Sequence, residues 1–193
     1  MYKPMSSFQY DIINLLKILN DGGIILYPTD TIWGIGCDAT NANAIKNIYA
    51  LKNREETKSM IILVADENMI RQFVSNPSEK MLSYILSAEK PTTAIFKTAK
   101  HLPSELVNED GSIAIRIPKD DFCLQLIKQF GKPLVSTSAN ISGEKFPQNF
   151  DEVSAEIKNG VDYIVQHRQN DYSKNTPSSI IKLSDKDEIV IIR

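Results

Sequence analysis

The chain predicts an α/β domain built on a twisted mixed sheet with flanking helices. Three observations predict that class. Short apolar runs of strand length recur at 24–27, 60–65, 92–98, 113–117 and 134–135, bounded by turn-forming residues. Between them lie segments whose apolar residues fall at helical spacing. The two kinds of segment alternate along the chain, so strands and helices share a core instead of forming separate blocks. With 193 residues, 42% of them hydrophobic, the chain is long enough for one well-buried domain and short for two. Residues 1–193 are read as a single domain.

Residues 8–20 carry Ile12, Ile13, Leu15, Leu16 and Leu19 as a helical stripe, and Gly22-Gly23 supplies the stop. The strand at 24–27 runs into Pro28, which has no N–H for a ladder. Residues 28–39 hold hydroxyls, carboxylates and glycines in place of core residues. An extended backbone there sends Thr29, Thr31 and Trp33 to one side, while Gly34 and Gly36 allow a bend or a close ligand. A helix over 41–51 turns Ile45, Ile48 and Tyr49 inward and ends in Lys52-Asn53-Arg54-Glu55-Glu56-Thr57-Lys58. After the strand at 60–65, Asp66 and Ser78 read as N-caps of short helices holding Met69, Ile70 and Phe73, then Met81, Leu82 and Ile85.

Residues 112–118 alternate cleanly. Ile113, Ile115 and Ile117 face one way; Ser112, Ala114 and Arg116 face the other. A helix with Phe122, Leu124, Leu126, Ile127 and Phe130 stops at Gly131. Leu134-Val135 opens a strand that continues into Ser136-Thr137-Ser138-Ala139-Asn140-Ile141-Ser142-Gly143. Asp151 is read as the cap of one more helix, 163–165 as a short strand, 166–176 as a polar loop, and 178–183 with 188–192 as a closing hairpin.

Several classes are excluded or disfavoured. No run approaches the roughly 18 apolar residues of a membrane span, and residues 1–10 lack the basic start and apolar centre of a signal peptide. Cys37 and Cys123 lie far apart with no metal-type spacing, which fits a cytoplasmic chain with reduced thiols. A net charge of −2 does not advertise nucleic-acid binding by the whole surface, although local basic patches stay open. The phosphate-loop, dinucleotide, G-x-S-x-G and H-E-x-x-H patterns are absent. His101 and His167 sit in polar loops without ligand spacing and are read as surface residues.

The polar residues fall into three groups. Lys52-x-Arg54, with Lys58 close by, places two cations just past a helix end, where an extended backbone lets both converge from an open cleft on one anion. The competing account is favourable charge at a helix C-terminus. Ser136-x-Ser138-x-Asn140 puts two hydroxyls and an amide on one face of a strand leaving the sheet. That arrangement suits hydrogen-bonded orientation of a polar ligand, against a solvated edge strand as the alternative. Arg116 opposes three isoleucines and is either exposed or lines a cleft.

Five segments in this order, Tyr27-Pro-Thr-Asp-Thr-x-Trp-Gly34, Lys52-x-Arg54, Arg116-x-Pro118, Ser136-Thr-Ser-Ala-Asn140-x-Ser-Gly143 and Thr176-Pro-Ser-Ser179, resemble the YrdC/TsaC family of threonylcarbamoyl-AMP synthases. The resemblance covers nearly the whole chain, in the short form without an extra C-terminal domain. It departs at Glu55-Glu56, at Lys58-Ser59-Met60 and at Trp33, where tyrosine is commoner. It implies a large, positively lined cavity. It also implies a nucleotidyltransferase reaction that joins L-threonine, bicarbonate or CO2, and ATP into threonylcarbamoyl-adenylate and releases pyrophosphate. The product feeds the threonylcarbamoyladenosine modification of tRNA through downstream transfer machinery, with a weak tRNA contact left open. Lys52 and Arg54 are the implied catalytic pair. They bind nucleotide together with Lys58, Ser138 and Asn140, while Thr31, Arg116 and Ser136 take threonine. Mg²⁺ travels mainly on the ATP phosphates with no protein metal site. A double-stranded RNA-binding module of the same fold is the alternative.

Overall fold

The computed structural model describes residues 8–55, 60–173 and 175–193. Burial of one stripe organises the first helix, α1 (Gln9–Asn20), whose buried apolar positions are Ile12, Leu15 and Leu19. Ile13, expected in that stripe, is 54% exposed on the outer side. Gly22 takes φ 79° and turns the chain toward β1 (Ile25–Tyr27). The glycine pair expected to mark a bend instead forms a strand, β2 (Gly34–Gly36), antiparallel to β1. An added Cβ on Gly36 would lie 2.5 Å from the Val135 carbonyl and 2.8 Å from the Tyr27 ring. Close approach, not flexibility, is therefore what glycine supplies there.

The remaining α-helices and β-strands among the described residues are α2 (Ala42–Leu51), β3 (Ile61–Leu63), α3 (Glu67–Phe73), α4 (Glu79–Ser87), β4 (Thr92–Phe96), β5 (Ile113–Arg116), α5 (Asp121–Phe130), β6 (Leu134–Ser138), α6 (Ala155–Asn159), β7 (Tyr163–Ile164), β8 (Ser179–Leu183) and β9 (Ile189–Ile191), with one 3-10 turn at Ser104–Leu106. Asp66 and Ser78 cap α3 and α4 as expected, each accepting a backbone N–H. The last helix is capped by Ser154 and not by Asp151. Three residues closer to the apolar Ile157, the serine hydroxyl reaches that residue's N–H at 3.3 Å.

Among the described residues, nine strands form one mixed sheet in the order β7-β1-β2-β6-β3-β5-β4-β8-β9. β3 with β5, β4 with β8 and β1 with β7 run parallel, and the other neighbours are antiparallel. Register separates the two faces. Ile62, Ile115, Ala94 and Ile181 lie across from one another and are fully buried in the core. Their alternating neighbours Ile61, Ala114, Ile95 and Ile180 are only half-buried. A sheet face left partly open behind apolar side chains is a place for a ligand. Among the described residues no helix is long and apolar enough to cross a membrane.

Candidate active site

The site begins at the end of α2. Lys52 closes the helix, Asn53 takes a left-handed conformation at φ 47°, and the chain returns two hydrogen bonds, Asn53 N to Ala50 O and Arg54 N to Tyr49 O. This is the helix stop that a left-handed asparagine allows. It overturns the expectation of an extended backbone with two convergent cations. Lys52 goes inward and is 1% exposed, with its ammonium donating to the carbonyls of Ser138 and Asn140. Burial, and then the charge of Arg54, push its pKa down to about 8. Arg54 goes to the cavity.

That cavity has a volume of about 490 Å³ and lies over the half-open sheet face, within the roughly 300–1,000 Å³ of small-molecule sites. Its floor is apolar, from Ile61, Ile95, Ala114 and Ile180, and its walls carry Thr29, Thr31, Ser136, Ser138 and Ser178. Arg54, Arg116 and Arg193 supply the charge, and no Asp or Glu stands among the described lining residues. A second hollow of about 720 Å³ near the β8–β9 turn mixes Lys97 and Lys182 with Asp110, Asp185 and Asp187 and holds none of the motif residues.

Arg116 is not free to clamp a substrate with its whole fork. Its Nη1 pairs with Asp30 Oδ1, both side chains being nearly buried, and the other Asp30 oxygen accepts from Lys119 N at 2.9 Å. The buried Arg116 Nε has no hydrogen-bond partner among the described residues. Thr29 and Thr31 share a hydrogen bond of 2.9 Å between hydroxyls, and Thr29 Oγ1 also accepts from Thr31 N at 3.0 Å. Arg168, at φ 65°, braces this turn from outside by donating to Thr29 O and, at 3.1 Å, to Asp120. On the opposite wall Ser178 and Thr93 join hydroxyls at 2.7 Å, and Arg193 donates to the Ser178 carbonyl at 3.2 and 3.3 Å.

Of the residues expected from sequence, Thr31, Arg54, Arg116, Ser136 and Ser138 meet in this one cavity. Lys52 and Asn140 stand behind its wall, and Lys58 lies outside the described residues. Trp33 is not among the residues lining this cavity; it borders a small neighbouring hollow with Thr29 and Thr31, and its ring packs on Phe150 at 4.9 Å. His167 is half-buried against Phe8 and Phe122 instead of lying on the surface, and burial lowers its pKa. Arg193 went unnoticed in the sequence because nothing local distinguishes it. Ser178 was visible only as one hydroxyl of the Thr-Pro-Ser-Ser segment. Fixed donors and cations without a strong base suit positioning and charge stabilisation more than proton abstraction.

Residues 17–193 match the family described as Sua5/YciO/YrdC, telomere recombination. The chain belongs to this family. A Methanocaldococcus jannaschii member provisionally named a threonylcarbamoyl-AMP synthase is 37% identical over 93% of this chain and 83% of its own length. The threonylcarbamoyl-AMP synthase of Pseudoalteromonas translucida is 31% identical over 91% of this chain and 94% of its own. P. abyssi Sua5, solved with L-threonine, superposes at a TM-score of 0.84 and 23% identity over 95% of this chain, which spans 54% of that protein. E. coli YciO superposes at 0.80 and 24% identity, covering 96% of this chain and 89% of its own. At these identities the structural likeness is one of Sua5/YciO/YrdC fold.

Proposed function

We propose that the chain is an L-threonylcarbamoyladenylate synthase working in the cytoplasm. It joins L-threonine, bicarbonate or CO2, and ATP into threonylcarbamoyl-AMP, releases pyrophosphate, and supplies the downstream machinery that places threonylcarbamoyl groups on tRNA. A weak contact with tRNA belongs to the same proposal. The observation that carries the reading is the convergence of Thr31, Arg54, Arg116, Ser136 and Ser138, from four separate segments, on one arginine-lined cavity. The names of the relatives above support it.

The amine of threonine captures CO2, and a carboxylate oxygen of the resulting carbamate attacks the α-phosphate as pyrophosphate leaves. Arg54 is the candidate for the phosphates, with Lys58 beside it in sequence, and Ser138 orients the nucleotide. Thr31, Ser136 and Arg116 are the candidates for threonine. Mg²⁺ would neutralise phosphate charge when bound with ATP. The described lining offers hydroxyls and guanidiniums and no Asp or Glu side chain, which suits an ion carried mainly on the phosphates.

The test is pyrophosphate release with each substrate left out in turn, together with mass detection of the adenylate. The expected result is release only with threonine, bicarbonate and ATP all present. Absent release, combined with tight and strongly salt-dependent binding of double-stranded RNA, would replace the enzyme with the RNA-binding alternative.

A further inference from the structure

Lys52 belongs to the motif that suggests phosphate binding, yet its surroundings describe another task. Its ammonium reaches two main-chain carbonyls, that of Ser138 and, at 2.6 Å, that of Asn140. Its own carbonyl accepts from Ser142 N at 2.7 Å. Between these points the chain folds on itself. Asn140 N donates to Ser138 O at 2.9 Å, and Asn140 Nδ2 donates to Ile141 O at 2.9 Å and Glu144 O at 2.7 Å. Residues 138–144 thus form an arch closed around the lysine. Ser138, at the root of the arch, lines the cavity together with Arg54.

A compact ammonium with several donors suits two converging carbonyls. The left-handed Asn53 keeps this lysine on the far side of the wall from Arg54. We infer that Lys52 is a positioning residue, whose ammonium pins the 138–144 arch and thereby sets Ser138 at the cavity, and that it does not bind the nucleotide. Asn140 shares this task through its Nδ2, which donates to Ile141 and Glu144, while its buried Oδ1 has no hydrogen-bond partner among the described residues. The kinetic part of this inference rests on the proposed synthase activity.

The experiment combines a mutant cycle with chemical footprinting. Lys52→Met keeps the side-chain volume and removes the pin. It is expected to lower kcat by about ten- to a hundredfold while changing the ATP KM by less than about threefold. Because it acts through Ser138, the Lys52→Met/Ser138→Ala double variant should be no more than about twofold slower than the worse single variant. Combined with Arg54→Ala, its effect should multiply instead. A tenfold rise in the ATP KM of Lys52→Met, or multiplication with Ser138→Ala, would overturn the role.

The second arm needs no variant to fold. Reductive methylation of the wild-type protein, read by peptide mass, should leave Lys52 unmodified both with and without MgATP. Labelling of Lys52 in the free protein that MgATP then blocks would make it a nucleotide ligand. If the wild-type chain made no adenylate, the synthase reading would fall, while this labelling result would still decide where the lysine stands.

Discussion

At the scale of single residues, a buried ion pair limits what Arg116 can give a substrate. Its partner Asp30 is 86 positions away in sequence, and the two side chains are 4% and 6% exposed. Removing one member of such a pair leaves an uncompensated charge, at a cost of about 3–5 kcal/mol. Arg116→Ala is therefore expected to destabilise the fold as well as to raise the threonine KM by about ten- to a hundredfold through lost charge-assisted hydrogen bonds. Arg116→Ala/Asp30→Ala should regain much of the stability but none of the threonine affinity. Urea melts alongside steady-state kinetics check both halves, and a single variant that melts like wild type would remove the pair from the stability account. Strand alternation alone placed Arg116 on the face opposite Ile113 and Ile115, which are buried. Its pairing with Asp30 was illegible, because no local pattern ties two residues that meet only when β5 packs beside the turn after β1.

At the scale of elements, the end of α2 decides which cation reaches the cavity. The left-handed Asn53 sits between Lys52 and Arg54, so the two side chains part company within three residues. Asn53→Gly is expected to be nearly neutral, since glycine takes this conformation without strain. Asn53→Val should cost about 1–2 kcal/mol and reduce activity further by misdirecting Arg54. Thermal melting and pyrophosphate release on the two variants test this; equal behaviour of valine and glycine would mean that the turn does not set the site. An asparagine just past a helix is a known stop signal and could have been read as one. β2 offered no such signal. Its two glycines resemble a loop, and their strand conformation follows from the tight fit of Gly36 against Tyr27 and Val135.

At the scale of the whole molecule, the cavity draws on residues from Thr29 to Arg193, so a ligand seated in it bridges β2 and β6 on one side and β4 and β8 on the other. MgATP with threonine, each at about a hundred times its Kd, should add about 2.7 kcal/mol per independently bound ligand. For a chain of this size each kcal/mol raises Tm by about 2–4 °C, so a rise of about 5–10 °C is expected even if one ligand dominates. Arg54→Ala should lose most of that rise at the same concentrations. Scanning calorimetry of both proteins, with and without ligands, checks it; equal rises would take Arg54 out of the nucleotide site.

The sequence by itself determined the α/β class, the helix caps at Asp66 and Ser78, the alternation of β5 and the set of polar segments that converge. These depend on periodicity and on local hydrogen bonding, which neighbouring residues specify. Only the tertiary structure decided that Lys52 lies behind the wall, that Asp30 occupies part of Arg116, that Trp33 turns to Phe150 and that Arg193 joins the cavity. Each of these depends on strands and loops distant in the chain coming together, and burial and charge pairing between such segments leave no trace in the spacing of residues along it.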